Sequence, residues 1–562
     1  MAQQSGARGK GRCAVTMPDG GTKRRMGLVV TASAAGTVFE WYDFFIFGSL
    51  AAIIAKHFFA GVSEAESYLL ALLTFAAGFA TRPVGAVVFG WFGDRVGRKR
   101  TFLVTITIMG LATFAVTFLP DYAAIGVAAP YLLVALRVLQ GFALGGEYGG
   151  AAIYVGEHAS NKRRGLATGW INTAAGLGLL LALIVILTTR TQMGEEAFAA
   201  WGWRIPFGVS LLLLLVSLWI RLRLDESPLF QKMVEDGTRS KAPLKEAFLR
   251  WANLKIVLLA LVGFLAGQGV VWYAAQFYTQ FFMEHLLKVD PHTTNYLMMI
   301  VTAASIPLYV FFAWLSDIIG RKPIMLLGLF MVAAGSFIGF QMLTQAANPA
   351  LARATATSPV TVIAAPEDCS FQFDLIGKAK FVTSCDIAKS VLANAGVTYN
   401  NDAAPAGTFA HVHVGMSDIP SPDGRALSAS DLEAARKHFE GQISTALTQA
   451  GYPAAADPAQ MNVPRVLGIL MFFIVAATAL YAPQAAALVE LFPTRVRYSA
   501  LSVPYHIGVG WFGGFLPALS FAIVAATGNI YAGLWYPVIV AGIGFLVTLL
   551  FIPETRGRRI DT

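Results

Sequence analysis

The chain has 562 residues, of which 56% are hydrophobic and 13% charged, and its mean hydropathy is +0.60. A soluble domain is about half apolar and about a quarter charged, so this composition excludes an ordinary cytosolic enzyme and a disordered chain. Three cysteines cannot staple a fold of this size, and a net charge of +9 raises a nucleic-acid partner that the placement of the basic residues must decide.

In chain order, Met1 to Met26 form a polar, basic tail with Arg8, Lys10, Arg12, Lys23, Arg24 and Arg25. No short apolar core with a small-residue cleavage site precedes the first apolar block, so no removable signal peptide is expected. Twelve apolar blocks come next, each long enough to cross a ~30 Å hydrocarbon core. The predicted spans 1 to 12 are 27–55, 68–92, 101–120, 131–155, 166–189, 202–221, 256–283, 294–316, 322–345, 464–490, 499–526 and 531–553. Lys and Arg gather in alternate loops: Arg95/Arg98/Lys99/Arg100, Lys162/Arg163/Arg164, the 221–255 stretch, Arg321/Lys322, Arg495/Arg497 and Arg556/Arg558/Arg559. The intervening loops 121–130 and 526–533 contain neither residue. The positive-inside rule then predicts a multi-pass inner (plasma) membrane protein with both termini cytoplasmic. The basic charge is a topology signal, and nucleic acid is not an expected partner.

The segment Gly90-Trp-Phe-Gly-Asp94-Arg95-Val-Gly97-Arg98-Lys99 joins spans 2 and 3, and Ala313-Trp-Leu-Ser-Asp317-Ile-Ile-Gly320-Arg321-Lys322 joins spans 8 and 9, at an offset of 223. Glu157 with Arg164 repeats as Glu490 with Arg497 at an offset of 333. The offsets differ by 110 residues, which places an insertion of that size between spans 9 and 10. Composition marks the same stretch, because 347–462 is polar and has no block that could span a bilayer. The predicted organisation is a tail (1–26), a first six-helix half (27–221), a central loop (222–255), spans 7–9 (256–345), an insertion (346–463), spans 10–12 (464–553) and a tail (554–562). Transporters built from repeated halves carry their site between the halves.

The Gly90–Lys99 segment resembles the loop signature of the major facilitator superfamily. Further segments resemble its metabolite:proton symporter branch: Glu40-Trp41-Tyr42-Asp43-Phe44, Arg82-Pro83-Val84-Gly85, Arg137-Val-Leu-Gln140-Gly141, Gly145-Gly146-Glu147-Tyr148-Gly149-Gly150, Trp201-Gly-Trp203-Arg204-Ile-Pro206 and Glu490-Leu-Phe-Pro493-Thr494-Arg495-Val-Arg497. The resemblance covers about 450 residues and leaves out the N-terminal tail and the insertion. It implies an all-α membrane protein of twelve helices in two halves, to which the insertion adds a small extracytoplasmic α/β domain. It also implies that Asp94 reaches a helix end of the other half, so that Gly90, Asp94, Arg95, Gly97, Arg98, Asp317, Gly320 and Arg321 form a gate that breaks in each cycle.

Ionisable residues inside a span are costly and usually functional. Here they are Glu40, Asp43, Arg82, Arg137 and Glu147. Glu40 and Asp43 are three apart and share a face of span 1; two carboxylates so close in a dry cavity resist joint ionisation, which suits a proton carrier. In the resembled sugar:proton carriers an Asp of span 1 pairs with an Arg of span 4, and Asp43 and Arg137 hold those positions. Arg82, about 14 residues or ~21 Å into span 2, either clasps a substrate carboxylate or neutralises Glu40 or Glu147. Tyr42, Gln140 and Tyr148 join it as candidates for contact with the solute. In span 7, Gln268, Trp272, Gln276 and Gln280 recur every four residues as one polar–aromatic stripe beside Tyr273 and Tyr278. With Thr478, Tyr481 and Gln484 of span 10 they are the expected substrate side of the second half. The glycines Gly141, Gly145 and Gly149 read as close helix packing.

Cys369 and Cys385 lie in the predicted outer insertion, while Cys13 is cytoplasmic, so the pair is expected to be a disulfide. Phe371, Phe373 and Phe381 alternate as a strand would over Ser370–Ser384, and Leu432, Phe439, Ile443 and Leu447 mark a helix from about Ser430 to Ala450. His411-Val-His413 lacks further ligands, and no metal or other cofactor is expected. No phosphate-binding G-x-x-x-x-G-K-[ST] loop occurs, which argues against an ATP-driven pump. Span 5 lacks the Gly-Pro element of the superfamily's antiporters, which favours symport, and the chain is not expected to be an enzyme. The predicted function is proton-driven symport of a small organic acid. The alternatives are a proline/betaine osmolyte transporter and a non-transporting receptor. The expected partners are solute, proton and bilayer, with an extracytoplasmic partner of the insertion also open.

Overall fold

The structure is a computed structural model that describes residues 19–59, 64–371 and 381–560; Arg8, Lys10, Arg12, Cys13 and Phe373 lie outside the described residues. Among these residues, ten helices are long and apolar enough to cross a membrane. They are α3 (Arg98–Phe118), α4 (Ala128–His158), α5 (Arg164–Met193), α6 (Arg204–Leu222), α7 (Trp251–Leu286), α8 (Pro291–Ile319), α9 (Arg321–Ala347), α10 (Val463–Leu491), α11 (Thr494–Thr527) and α12 (Ala532–Phe551). Two more, α1 (Asp19–Ser49) and α2 (Glu64–Arg95), have 31 and 32 residues. The stretch Glu40–Asp43 lowers the apolarity of α1 where the candidate proton site lies. The protein is thus an all-α membrane protein of two six-helix halves, α1–α6 and α7–α12.

The tight α2–α3 and α8–α9 turns each need a glycine. Gly97 and Gly320 have φ of 134° and 114°, a region side chains rarely adopt. A Cβ on either would lie 2.4 Å from a carboxylate oxygen, of Glu226 and Glu554 respectively. Those carboxylates accept the first backbone N–H groups of the next helix: Arg98 and Lys99 for Glu226, Arg321 and Lys322 for Glu554. Each helix start is therefore capped by an anion, which offsets its unpaired donors and its dipole. Within the first half α2 and α4 touch through backbone, since a Cβ on Gly141 would lie 2.0 Å from the Gly78 carbonyl oxygen.

Two second-half helices depart from regular winding. Around Leu261–Leu265, Ala274–Tyr278 and Phe282–Leu286 in α7, and around Ile507–Gly513 in α11, turns widen to the π form. Each widened turn inserts a residue and rotates the helix beyond it, a device common at functional sites.

Between α9 and α10 the chain builds a four-stranded sheet of β1 (Val360–Ala364), β2 (Tyr399–Ala403), β3 (His411–Val414) and β4 (Ser417–Pro420), in the order β2-β1-β3-β4. β1 and β2 are parallel and joined through the helix Ser384–Asn394; the other pairs are antiparallel. Val360, Val362 and Ala364 bury one face of β1, as period-two alternation requires. A helix at Ala429–Gln449 occupies the position expected for 430–450. The strand expected over 370–384 is not there in its described part. Thr383 Oγ1 accepts the Asp386 N–H at 3.1 Å and starts the helix at Ser384 instead. Cys369 and Cys385 are bonded, with Cα atoms 5.2 Å apart.

This small domain is fastened to the second half. Tyr399 N–H and O–H donate to the carbonyls of Gly528 and Ala525, Asn401 Nδ2 to Thr527 O and Lys389 Nζ to Ala526 O, all at the end of α11. Lys288 Nζ, just beyond α7, donates to Asn394 O at 2.6 Å, and Ala456 N–H donates to Lys288 O.

Candidate functional site

At the end of the bundle bearing the α2–α3 and α8–α9 turns, the halves meet in a twofold-like set of charged contacts. Asp94 of α2 accepts the N–H groups of Tyr498 and Ser499 at 3.1 and 2.9 Å, near the start of α11. Asp317 of α8 accepts those of Gly165 and Leu166 at 2.9 and 2.8 Å, at the start of α5. Each carboxylate thus caps a helix of the opposite half, where free N–H groups and the dipole favour an anion. Arg98 holds Asp94 at 3.1 Å and donates to Thr494 O at 2.9 Å; Arg321 holds Asp317 at 2.7 Å and Glu490 at 3.2 Å. Glu157 pairs with Arg497 at 2.7 Å and Glu490 with Arg164 at 2.9 Å, again across the seam. Gly90 permits the approach, since a Cβ there would lie 2.9 Å from Ser499 Cα. Arg95 stays outside this network: it is exposed and lies 5.2 Å from the Trp91 ring centre.

Nearer the middle of the bundle, the candidate ionisable residues separate into groups. Asp43 is 6% exposed and lies near Thr113, whose hydroxyl donates to Met109 O at 3.0 Å. Gln140 Nε2 donates to that hydroxyl at 2.8 Å. The direct Asp43–Arg137 ion pair is not formed. Arg137 lies 3.5 Å from the Phe47 ring centre, its Nε and Nη2 and one Asp43 oxygen lack hydrogen-bond partners, and the charges act on each other across a gap. The ring face holds the cation in place of the carboxylate. Glu40, one turn earlier, is 9% exposed and one of its oxygens has no partner. Arg82 stacks on Phe79 at 4.2 Å, with Phe44 at 5.6 Å, and its Nε is unpartnered. Buried polar atoms are almost always satisfied, so these stand out.

Aromatic side chains from both halves close around these groups. Trp41 meets Trp272 at 5.4 Å, Phe44 meets Phe277 at 6.5 Å and Phe79 meets Tyr273 at 5.9 Å. Tyr148 stacks on Tyr505 at 3.9 Å, and Tyr505 and Tyr481 share a hydroxyl contact of 3.0 Å. Trp272 Nε1 donates to Tyr309 Oη at 3.1 Å. Gln268 and Gln484 are buried with unpartnered amide atoms, as is His506 Nε2. Two expected solute contacts lie elsewhere. Tyr42 is fully buried and donates to Pro206 O at 2.7 Å. Gln280 is turned away by the widened turn at Ala274–Tyr278 and donates to Glu284 and Asn295, while Gln276 accepts from Thr302 of α8.

Residues 28–247 and 443–562, more than half of the chain, match the family model described as sugar (and other) transporter. The chain belongs to this family. The chain is 34% identical over 337 residues to the proline/betaine transporter of Salmonella typhimurium, covering 58% of this chain and 66% of that one. It is 38% identical over 338 residues to the shikimate transporter of Escherichia coli, covering 58% and 75%. Its fold matches the major facilitator superfamily proton:xylose symporter XylE bound to 6-bromo-6-deoxy-D-glucose, with a TM-score of 0.62, 14% identity, and 96% and 98% of the two chains covered. The fold is therefore that of the major facilitator superfamily.

Three charged residues of this transporter escaped the sequence reading. Arg221, counted with the basic loop after span 6, is 1% exposed and donates to Glu147 at 2.6 Å. Glu147, expected among the proton-coupling groups, is thereby paired, and its other oxygen accepts from Thr105 at 2.8 Å. Glu226 and Glu554, the helix caps, lie 328 residues apart, close to the 333-residue offset of the Glu–Arg repeat, and that spacing was the available signal.

Proposed function

We propose that this transporter is a proton-driven symporter of a small carboxylate-bearing solute, working by alternating access. What carries the reading is the set of buried, unpartnered carboxyl and guanidinium atoms of Glu40, Asp43, Arg82 and Arg137 inside the bundle. Asp43 takes a proton from outside and its electrostatic pull on Arg137 across the gap ends; the solute carboxylate then meets the fork of Arg82. With both charges satisfied the halves rock, the latch at the other end opens, and proton and solute leave inside. The alternate basic loops support cytoplasmic termini and an insertion on the outer face of an inner membrane. The solute names of the two relatives, shikimate and proline/betaine, both fit a carboxylate.

A second reading has its own observation. Phe44 and Phe79 lie against Arg82, Trp41 and Tyr273 adjoin those rings, and Trp272 adjoins both of the latter; aromatic faces bind quaternary ammonium groups. A betaine would then place its carboxylate on Arg82 and its ammonium among the rings. The deciding experiment is uptake into proteoliposomes, with radiolabelled shikimate and glycine betaine as probes, under an imposed proton gradient. Asp43→Asn is expected to abolish gradient-driven uptake and to leave exchange of pre-loaded solute. Uptake indifferent to protonophore in the parent protein refutes the proton-driven reading.

A further inference from the structure

Arg221, in the last turn of α6, has no task in the scheme above. Its Nη2 donates to Glu147 Oε1 at 2.6 Å, its Nη1 to the Phe102 carbonyl at 3.2 Å, and the guanidinium lies 3.5 Å from the Phe102 ring centre. The same guanidinium occupies the space beside Gly36 of α1, where a Cβ would lie 1.9 Å from Nη2. Gly36 is one helical turn before Glu40. Side chains in a helix lean over the preceding turn, so the Glu40 carboxyl is directed toward the level at which Arg221 sits. Glu40 Oε2 is buried and unpartnered.

A lone buried cation–carboxylate pair would need neither a missing Cβ on a third helix nor a second carboxyl one turn away. We propose that Arg221 is a shared counter-ion, held by Glu147 while Glu40 carries a proton and turned to Glu40 when that proton leaves. The proton passes from the Glu40 carboxyl to water, and the guanidinium offsets the carboxylate left behind. The Thr105 hydroxyl keeps Glu147 hydrogen-bonded meanwhile. The groups that act electrostatically on Glu40, or that Glu40 acts on, are Asp43 of its own helix, Arg82 of α2, Glu147 and Tyr148 of α4, Arg221 of α6 and Tyr505 of α11. Arg82 also acts on Glu40 but lies on the Phe79 ring and, in the scheme above, is taken by the solute carboxylate, which leaves Arg221 as the cation able to turn to Glu40. Arg221 thus acts through Glu40 as a positioning residue, without touching the solute.

The inference rests on the proton-driven reading, and its test separates the two. Initial uptake of shikimate and glycine betaine is measured in proteoliposomes across external pH for the parent, for Arg221→Gln/Glu147→Gln together, for Gly36→Ala and for Arg221→Lys. The double variant removes the pair without stranding a charge, and Gly36→Ala displaces the guanidinium while keeping every charge. Both are expected to shift the midpoint of the pH profile by at least about one unit, a tenfold change in proton affinity; Arg221→Lys restores most of it. A double variant or a Gly36→Ala protein with the parent's profile overturns the proposal, since Arg221 then merely neutralises Glu147. Should the double variant fail to elute as a monodisperse species, Gly36→Ala carries the test. A parent protein insensitive to protonophore overturns both readings; a proton-driven parent with unshifted variants overturns this one alone.

Discussion

Replacing Asp94 by Asn tests whether the latch holds the bundle shut. In the structure its carboxylate accepts two N–H groups of α11 at 3.1 and 2.9 Å and holds Arg98 at 3.1 Å. Hydrogen bonds to a charged group are worth ~1.5–3 kcal/mol each. An amide keeps one acceptor, loses the charge and presents a donor to a donor, so the closed state loses ~2–4 kcal/mol. At ~1.4 kcal/mol per tenfold, the open population rises by about one to three powers of ten. A cysteine at Ser502 reports this, because Ser502 is fully buried against α4, its Oγ 2.1 Å from where a Gly149 Cβ would be. On a Cys13→Ser background, maleimide labelling of Ser502→Cys is expected to quicken at least tenfold when Asp94→Asn is added. Asp317→Asn should act in the same direction but less, because Arg321 keeps Glu490 at 3.2 Å whereas the Arg98 Nε stands 3.9 Å from Glu157. Labelling within twofold of the parent for Asp94→Asn would show that the latch does not hold the seam.

Arg82→Gln should weaken shikimate binding at least tenfold in a thermal-shift or calorimetric titration, about 1.4 kcal/mol; unchanged affinity removes the clamp from the binding scheme. Intact mass before and after reduction should differ by two hydrogens for the Cys369–Cys385 bond, and an identical mass would exclude it. In the insertion, hydrogen bonds from Arg425 hold the Asp423 carboxyl below the usual carboxylate range. Its folded value lies below its unfolded one. The stabilisation is therefore complete above about pH 4 and lost as pH falls through the folded value. Hydrogen-exchange protection, corrected for the intrinsic rate, in peptides covering 381–425 of the full chain should fall below about pH 4, and Asp423→Asn should flatten that dependence; an equally steep variant refutes the assignment.

The parts legible in the sequence were those written as contiguous signals. The loop signatures around Asp94 and Asp317 recur at one offset because two equivalent turns require the same glycine, aspartate and arginine. The helix Ala429–Gln449 was legible from its apolar spacing. What failed depended on geometry that spacing does not encode. A strict four-residue stripe placed Gln280 in line with Trp272, but a widened turn lies between them. Arg221 counted as loop charge, yet a long guanidinium in the last turn of α6 reaches back into the core once Gly36 leaves room. Arg137 was assigned to Asp43 by motif position; the two act on each other across a gap, and the guanidinium rests on the Phe47 ring, which carries no charge to count.

The two ends of the bundle are tied in opposite ways, and this constrains how the protein moves. At the latch end the strong contacts, Asp94 to α11, Asp317 to α5, Glu157 to Arg497 and Glu490 to Arg164, all cross from one half to the other. The alternating access proposed above would have to break every one of them, and each is a pair or cap whose partners can turn to water when exposed. At the other end the insertion takes up the last carbonyls of α11, from Ala525 through Gly528, and grips the chain beyond α7 through Asn394 and Ala456. These bonds lie within the second half, so rocking leaves them intact. Breaking them would strand helix-end carbonyls that have no partner in their own helix. In the proposed cycle the insertion would therefore be carried as part of the second half, and relative motion would concentrate on the seam where Glu40 and Arg82 lie.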